Sequence, residues 1–301
     1  MSTNNGYRVL ISGSSSGFGM LTAATLVRAG HRVFAGMRAP AGRNEAARAE
    51  LAAMTAGAPG SLQVVELDVT DDRSAEAAVA RVEERAGGLD VVVNNAGAAA
   101  FGPAEGFTTE QVRALFDVNV LGVHRLNRAA LPVLRRSGGG LVIHLSSTLG
   151  RYVVPFLGLY AASKFAVEAL AEAYRYELAP LGIESVIVEP GTFPTRMLAT
   201  LESPTDTTRT LEYGSQNERL AGMSAGLLAS VSGPGAPDPQ AVADAILRVV
   251  SVPPGSRPAR TVVDPRGGAD VEALNRLAAE VQARVFGAMG LADLVEAAPV
   301  Q

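Results

Sequence analysis

The 301-residue sequence contains no cysteine, which excludes disulfide bonds, a cysteine nucleophile and cysteine-ligated zinc. It also lacks a basic excess, because 26 lysine and arginine residues stand against 30 aspartate and glutamate residues, for a net charge of −4. Proteins that bind nucleic acid usually carry such an excess, so we expect no nucleic-acid partner. No apolar run reaches the roughly 18 residues that a membrane helix needs, and the polar first residues do not have the layout of a signal peptide. We therefore expect a cytoplasmic protein without a membrane span.

Lysine is almost absent as well. Lys164 is the only lysine among the 26 basic residues, and all the others are arginine. Arginine and lysine are not interchangeable where a compact, flexible ammonium is needed, so Lys164 is the first candidate for a specific role. The three histidines, His31, His124 and His144, are not paired with carboxylates at ligand spacing. The sequence therefore predicts no metal site.

A regular alternation of β-branched apolar runs and helical patterns organises most of the chain. Alternation of this kind is typical of βαβ units with right-handed crossovers. It predicts a single α/β domain over residues 1–301, a doubly wound (Rossmann) parallel sheet of about seven strands in three α/β/α layers. A long helical stretch over 109–136 is interrupted near Asn119. Strands are predicted near 7–12, 31–37, 62–67, 89–93, 141–145, 183–188 and 261–263.

Residues 190–237 break this alternation. They hold proline, glycine, threonine and scattered apolar residues but no strand pattern, and an insertion of that length is often functional. We interpret 190–237 as a substrate-binding lid inserted before the last βα unit, and 269–301 as a C-terminal helix and tail; a disordered surface loop is the alternative for the insertion. The apolar side chains available to the lid are Phe193, Met197, Leu198, Leu201, Leu211, Tyr213 and Met223.

A glycine-rich turn, Gly13-Ser-Ser-Ser-Gly17-Phe-Gly19, joins the first predicted strand to the first helix. Unpaired N–H groups and partial positive charge at a helix N-terminus suit a pyrophosphate, and glycines let the backbone approach it closely. The spacing differs from the general dinucleotide fingerprint, so the turn by itself is also compatible with an ordinary βα loop. Its position after the first strand favours cofactor binding.

Two further motifs strengthen this interpretation: Asn94-Asn-Ala-Gly97 after the fourth strand, and Tyr160-Ala-Ala-Ser-Lys164 on a predicted helix. With the glycine-rich turn, they make the chain resemble the short-chain dehydrogenase/reductase family, in its single-domain type and its steroid- and retinol-dehydrogenase-like branch. The resemblance extends over about 8–195. It implies a nicotinamide cofactor and, in many members, a homodimer or homotetramer.

The end of the second strand indicates which nicotinamide cofactor is bound. A carboxylate there would bind the ribose of NAD, whereas an arginine suits the 2′-phosphate of NADP. Residues 31–38 contain no acidic residue and end in Arg38, so we predict NADP(H). The resemblance implies adenine contacts from Asp68 and Val69, a ribose contact from Asn95 and nicotinamide contacts from the Pro190–Thr195 segment. The full predicted set is Gly13, Ser15, Ser16, Gly17, Phe18, Gly19, Arg38, Asp68, Val69, Asn95, Ala96, Gly97, Tyr160, Lys164, Pro190, Gly191, Phe193 and Thr195.

Tyr160 and Lys164 lie four residues apart and share a helix face. An ammonium about 6 Å from a phenol, at an effective dielectric of about 20, favours the phenolate by roughly 2–3 kcal/mol, so we expect the pKa of Tyr160 to be lowered. The phenol would then serve as general acid and base. Ser147 ends the fifth strand and is expected to hold the substrate oxygen, with Ser146 as the competing assignment. The resemblance adds Asn119, as the anchor of a water that bridges to Lys164.

Together these residues predict reversible hydride transfer between a ketone or aldehyde and an alcohol. Apolar residues near the site favour a bulky, apolar small-molecule substrate. Two alternatives remain: an NADP(H) sensor without turnover, and an epimerase or dehydratase acting on sugar nucleotides. The residues expected to form the pocket, besides those of the lid, are Ala98, Ala99, Phe101, Val153, Val154, Phe156 and Leu157.

Overall fold

A computed structural model describes residues 6–294, apart from the side chain of Asp293. The seven strands predicted from the sequence form one sheet in the order β3-β2-β1-β4-β5-β6-β7, and every neighbouring pair is parallel. The chain therefore winds outward from β1 in one direction and then from β4 in the other. The strands are β1 (Arg8–Ile11), β2 (Arg32–Met37), β3 (Ser61–Glu66), β4 (Val91–Asn94), β5 (Gly140–Leu145), β6 (Ile183–Pro190) and β7 (Arg260–Val263).

Helices cover both faces of the sheet. The eleven α-helices of the described residues are α1 (Gly17–Arg28), α2 (Glu45–Met54), α3 (Asp72–Ala86), α4 (Thr109–Phe116), α5 (Gly122–Arg136), α6 (Gly158–Leu178), α7 (Arg196–Ala199), α8 (Thr207–Glu212), α9 (Gln216–Ser230), α10 (Gln240–Ser251) and α11 (Gly268–Met289). None of the helices within residues 6–294 has the length and apolarity to cross a membrane.

The five inner strands are buried on both faces, which explains their nearly continuous apolar character, whereas the edge strands β3 and β7 are only partly buried. In β1, Val9 and Ile11 pack into the core beneath α1, α2 and α10, whereas Leu10 points into the core beneath α3, α5 and α6. Successive side chains of a strand point to opposite faces, so the inner strands supply both cores. The result is the predicted three-layer α/β/α arrangement.

The predicted break in the long helix is a π-helical turn, Asp117–Leu121, between α4 and α5. Asn119 lies inside this turn and is 1% exposed. Its amide nitrogen donates to the Ala98 carbonyl (2.9 Å) and to the Ser163 hydroxyl (2.9 Å), and its Oδ1 accepts from the Ala98 N–H (2.8 Å). The polar residue that interrupts the apolar pattern therefore ties the turn to the segment after β4 and to α6.

The insertion has secondary structure of its own. The segment after Pro190 carries three helices, α7, α8 and α9, none of which contains a buried residue. An isolated bridge pairs Glu202 with Ala100, and Gln111 of α4 donates to the Glu202 carboxylate (2.9 Å). The first part of the insertion is therefore fastened to the domain.

The predicted C-terminal helix is α11, which ends at Met289. Residues 295–301 of the predicted tail lie outside the described residues.

Candidate active site

Two adjoining cavities open at the carboxyl ends of the strands, where ligands bind in open α/β sheets. The first, of about 470 Å³, runs along the glycine-rich turn and the ends of β2, β3 and β4. The second, of about 350 Å³, is lined by the ends of β5 and β6, by α6 and by the insertion. Phe18, Asn95, Thr195 and Met197 contribute to both walls, so the cavities are neighbours.

The glycine-rich turn has the geometry that its sequence suggested. Gly13 (φ 69°) and Gly17 (φ 53°) adopt the left-handed conformation that favours glycine. Gly19 is required for another reason, because a Cβ there would lie 2.4 Å from both the Gly13 carbonyl oxygen and Asn95 Nδ2. Asn95 Nδ2 donates to the carbonyls of Ser12 (2.8 Å) and Gly13 (3.1 Å). Asn95 was expected to contact the cofactor ribose. In the structure its amide nitrogen links the segment after β4 to the backbone of the glycine-rich turn.

Most residues predicted to bind the cofactor come together along the first cavity. Gly19 lines neither cavity. Five other predicted residues line the second cavity instead: Tyr160, Lys164, Pro190, Gly191 and Phe193. Phe18 and Phe193 meet edge to face, with ring centroids 5.6 Å apart, where the two cavities join. The predicted residues on the first wall are Gly13, Ser15, Ser16, Gly17, Phe18, Arg38, Asp68, Val69, Asn95, Ala96, Gly97 and Thr195.

Two arginines line the first cavity at the end that lies near β2 and β3. Arg38 lines it as predicted, and Arg43 lines it as well, although the sequence alone did not point to it. Burial acts to raise the pKa of Asp68, but hydrogen bonds from Thr70 and the charges of Arg38 and Arg43 outweigh it, so the pKa is lowered. The position of Arg43, five residues beyond Arg38 in the same βα connection, was the signal that could have found it.

The second cavity contains the candidate catalytic residues. Ser147, Tyr160 and Lys164 all line it, and the Ser147 hydroxyl makes a long hydrogen bond to the Pro190 carbonyl (3.4 Å). Lys164 Nζ donates to the Leu145 carbonyl (2.9 Å) and lies 5.7 Å from the centroid of the Tyr160 ring. Ser146 also lines this cavity, but its buried hydroxyl has no hydrogen-bond partner among the described residues.

The pKa of Tyr160 does not follow the expectation from sequence. Burial raises it to about 12, although a hydrogen bond with Ser147 opposes the rise. Burial also lowers the pKa of Lys164 to about 8, with the charge of Glu168 opposing it. The prediction that Lys164 would lower the pKa of the phenol was wrong for this structure, because burial of the phenol dominates and only the hydrogen bond with Ser147 opposes it. At neutral pH the phenol holds its proton and Lys164 is mostly charged.

Asn119 stands beside the second cavity rather than in its wall. A Cβ atom placed on Gly97 would lie 3.5 Å from Asn119 Oδ1 and 3.8 Å from Lys164 Nζ, so both side chains flank the Gly97 α-carbon. The amide of Asn119 is already bonded to Ala98 and Ser163. Its role as the anchor of a bridging water stays a prediction.

The rest of the second cavity is largely apolar, but its members differ in part from those expected. Val153 is 63% exposed and Leu211 is 74% exposed, so neither covers the site. Ala98 lines the first cavity instead. Asp264, at the end of β7, is an acidic group in the wall that the sequence did not reveal. The apolar wall residues include Ala99, Phe101, Leu149, Val154, Leu157, Phe193, Met197, Leu198, Leu201, Met223 and Leu227.

One contact joins the insertion to the glycine-rich turn. Arg196, the first residue of α7, donates from its guanidinium to the Ser15 carbonyl at 2.6 Å. Thr195, just before it, lies against Gly17, because a Cβ on Gly17 would be 3.5 Å from the Thr195 Cβ. The wall of the first cavity and the start of the insertion therefore form one connected surface.

Comparison with known proteins identifies the family. The family model described as short chain dehydrogenase matches residues 7–206. This chain belongs to the short-chain dehydrogenase family. A 3-ketodihydrosphingosine reductase from Bacteroides thetaiotaomicron is 35% identical over 213 residues, which cover 71% of each chain. Both the match and the fold place the chain among oxidoreductases.

Other similar proteins refine this placement. The 17-beta-hydroxysteroid dehydrogenase type 1 of Homo sapiens is 41% identical over 189 residues, which cover 61% of this short-chain dehydrogenase and 56% of the human protein. A crystal structure of an actinorhodin polyketide ketoreductase with NADPH has a TM-score of 0.71 and 27% identity, covering 89% of this chain and 98% of that one. Other solved structures with the same fold hold NADH or NAD. The relatives therefore support the steroid-dehydrogenase-like branch.

Proposed function

We propose that this short-chain dehydrogenase is an NADP(H)-dependent reductase that converts a ketone or aldehyde on a bulky, apolar small molecule into an alcohol. The observation that carries the proposal is the placement of Ser147, Tyr160 and Lys164 in the wall of an apolar cavity that adjoins the glycine-rich turn. This placement lets a dinucleotide and a substrate meet at the phenol. The reaction remains reversible in principle, and reduction is its proposed cellular direction.

The residues of the first cavity fit NADP(H). Gly13 and Gly17 shape a turn whose helix N-terminus suits a pyrophosphate. Arg38 and Arg43 supply two guanidinium groups at the end of β2, and residues 31–38 offer no carboxylate that would repel a 2′-phosphate. When bound, NADPH supplies the hydride that reduces the carbonyl carbon.

Tyr160 acts as the general acid in this scheme. Because burial raises its pKa, the phenol is protonated at neutral pH and has a proton to donate to the oxygen of a carbonyl. Ser147 holds that oxygen by a hydrogen bond and stabilises the negative charge that develops on it. Lys164 places an ammonium beside the ring, which stabilises the phenolate left after proton transfer. In the reverse direction the phenolate would take the proton from the alcohol.

The second cavity indicates the substrate class. Its volume of about 350 Å³ and its apolar walls suit a bulky, uncharged molecule more than a small hydroxy acid. Two relatives agree with this class by name, since one is a reductase of 3-ketodihydrosphingosine and the other a dehydrogenase of 17-beta-hydroxysteroids. Val154, Leu157 and Phe193 are proposed as the main apolar contacts.

The proposal extends to the assembly and the location of the protein. Exposed apolar side chains on and beside α5 and α6, Leu121 (48% exposed) and Phe165 (41% exposed), favour a homodimer or homotetramer built on these helices. We assign the protein to the cytoplasm, with no nucleic-acid partner, on the grounds of its composition.

The decisive experiment combines a panel of steroid, sphingoid and aromatic ketones with NADPH or NADH, followed by the absorbance of the reduced nicotinamide. Tyr160→Phe should lower kcat by about 10²–10⁴-fold while NADPH binding, measured by fluorescence, is retained. Tyr152→Phe is the matched control, since Tyr152 lines the same cavity but lies outside the proposed proton transfer, and it should keep most of the activity.

Three results would refute parts of the proposal. NADPH binding without turnover of any ketone would favour a sensor. Turnover that survives Tyr160→Phe would remove the phenol from the mechanism. A preference for NADH would overturn the assignment of the cofactor to Arg38.

A further inference from the structure

A buried cluster of charged side chains lies behind Lys164, outside the two cavities. It joins α6, β6 and β7, and α11 adds an amide. Three carboxylates surround a single arginine whose side chain is 11% exposed. The members are Glu168, Glu172, Glu189, Arg260 and Asn275, with Arg151 beside them.

Arg260 organises this cluster. Its Nε donates to Glu168 Oε2 (3.0 Å), its Nη1 donates to Glu172 Oε1 (3.3 Å), and its Nε lies 3.5 Å from Glu189 Oε1. Asn275 donates to the other oxygen of Glu189 at 2.6 Å. Three carboxylates therefore face the Arg260 guanidinium, and the charge of Arg151 also acts on Glu189.

Within this cluster, Glu189 is the carboxyl group whose pKa is raised. Burial, reinforced by the charge of Glu168, raises the pKa of Glu189, whereas Asn275, Arg260 and Arg151 oppose the rise. Glu189 is fully buried, and its raised pKa favours the protonated carboxyl form more than in an exposed glutamate. Glu168 makes the shorter contact with Arg260, 3.0 Å against 3.5 Å for Glu189.

Lys164 lies one helical turn before Glu168. The two residues are 4% and 3% exposed, and the spacing of four on α6 puts them on one face. Among the described residues, Lys164 donates only to the Leu145 carbonyl and forms no salt bridge, while Tyr160 faces it from the preceding turn. An ammonium so deeply buried needs a nearby negative charge to remain protonated. Glu168 is the carboxylate whose charge acts on it.

We propose that Glu168, held by Arg260, is a positioning residue whose carboxylate keeps the buried Lys164 ammonium charged. This inference rests on the proposed function, in which Lys164 must be charged to stabilise the phenolate. One of the oxygens of Glu168, Oε1, has no hydrogen-bond partner in the described part of the chain. Its charge is therefore only partly offset by Arg260 and acts across the helix turn on Lys164.

The sole lysine of the sequence allows a direct test. Protein grown with lysine that is ¹³C-labelled at Cε gives one lysine resonance, and its shift against pH reports the titration of Lys164 without any substrate or cofactor. In the wild type we expect a midpoint near the pKa of about 8. Glu168→Gln should move it down by about one pH unit, since the lost attraction at helix-turn distance is partly offset by the existing Arg260 pair.

Glu172→Gln is the matched control. Glu172 bonds the same arginine but lies a further turn from Lys164, so its loss should move the midpoint by less than about 0.3 pH units. Glu168→Asp retains the charge and should keep most of the wild-type midpoint. If Glu168→Gln does not fold, a wild-type midpoint in Glu168→Asp together with a lowered one in Glu168→Ala supports the inference, and equal midpoints in both refute it.

The same variants separate this inference from the proposed function. If the wild type reduces ketones, the alkaline limb of its kcat/KM profile should move down with Glu168→Gln by the same amount as the lysine resonance. An unchanged lysine midpoint in Glu168→Gln overturns the role of Glu168 and leaves the reductase intact. Absence of turnover in every variant overturns the proposed function, while the NMR titration still decides what Glu168 does to Lys164.

Discussion

Replacing Gly19 by alanine should both destabilise the fold and weaken cofactor binding. Gly19 is the third glycine of the turn, and the new Cβ would lie 2.4 Å from the Gly13 carbonyl oxygen and 2.4 Å from Asn95 Nδ2. Cβ atoms do not approach other heavy atoms so closely, and a backbone carbonyl cannot move aside as a flexible side chain can. Either α1 or the amide of Asn95 must shift.

The cost follows from these contacts. Overpacking of this kind costs about 1–3 kcal/mol. Displacing Asn95 would also remove its hydrogen bonds to the Ser12 and Gly13 carbonyls, at about 1 kcal/mol each. We therefore expect Gly19→Ala to lower the free energy of unfolding by about 2–4 kcal/mol. Because the turn itself is distorted, the Kd for NADPH should rise by at least about tenfold.

Urea unfolding and a fluorescence titration with NADPH measure the two effects. Gly222→Ala is the matched control, because Gly222 lies inside α9 and a Cβ added there would meet no heavy atom within 4 Å. Alanine is favoured over glycine in a helix, so this variant should gain up to about 1 kcal/mol and bind NADPH normally. If Gly19→Ala matched the wild type in both stability and Kd, the close packing of the turn against Asn95 would be refuted.

Three other expectations follow from named contacts. His144 is fully buried with its pKa lowered to about 3 by burial, so its stabilising contribution is complete above the unfolded pKa of about 6.5 and is lost as pH falls toward 3. Urea unfolding of His144→Phe should show a smaller loss of stability between pH 7 and pH 4, by up to about 3 kcal/mol, and equal losses would contradict this assignment. Glu184→Ala leaves the buried Arg257 guanidinium without its carboxylate and should cost about 3–5 kcal/mol by urea unfolding; a neutral result would mean that the ion pair adds nothing. Arg38→Leu should weaken NADPH binding by about 10–100-fold but change NADH binding little, and an equal loss for both cofactors would show that Arg38 does not contact a 2′-phosphate.

The sequence was sufficient for the sheet and for the motifs that follow local rules. Strand-helix alternation gave the layer arrangement, because the periodicity of apolar residues reflects which faces are buried. Asn119 was visible as a polar interruption, and it lies in the π-helical turn. The spacing of four predicted that Tyr160 and Lys164 share one face of a helix, and both line the second cavity.

The sequence did not predict which residues far apart along the chain lie together in the structure. Asp264 follows β7, about a hundred residues after Tyr160, and only the assembled sheet brings both residues to one cavity. The direction of the pKa of Tyr160 depends on burial by tertiary neighbours, which the i to i+4 spacing does not reveal. Leu211 and Val153 are apolar but exposed. The sequence did not predict this, because hydrophobicity alone does not say which side of a surface segment faces inward.

The bond from Arg196 to the Ser15 carbonyl has a kinetic consequence. It fastens the first helix of the insertion to the backbone that would cradle a pyrophosphate, so a displacement of one is transmitted to the other. Binding of the dinucleotide would then fix the conformation of α7, which belongs to the insertion that lines the substrate cavity. We therefore expect the nucleotide to bind before the carbonyl compound and to leave after the alcohol, an order that product-inhibition kinetics would test.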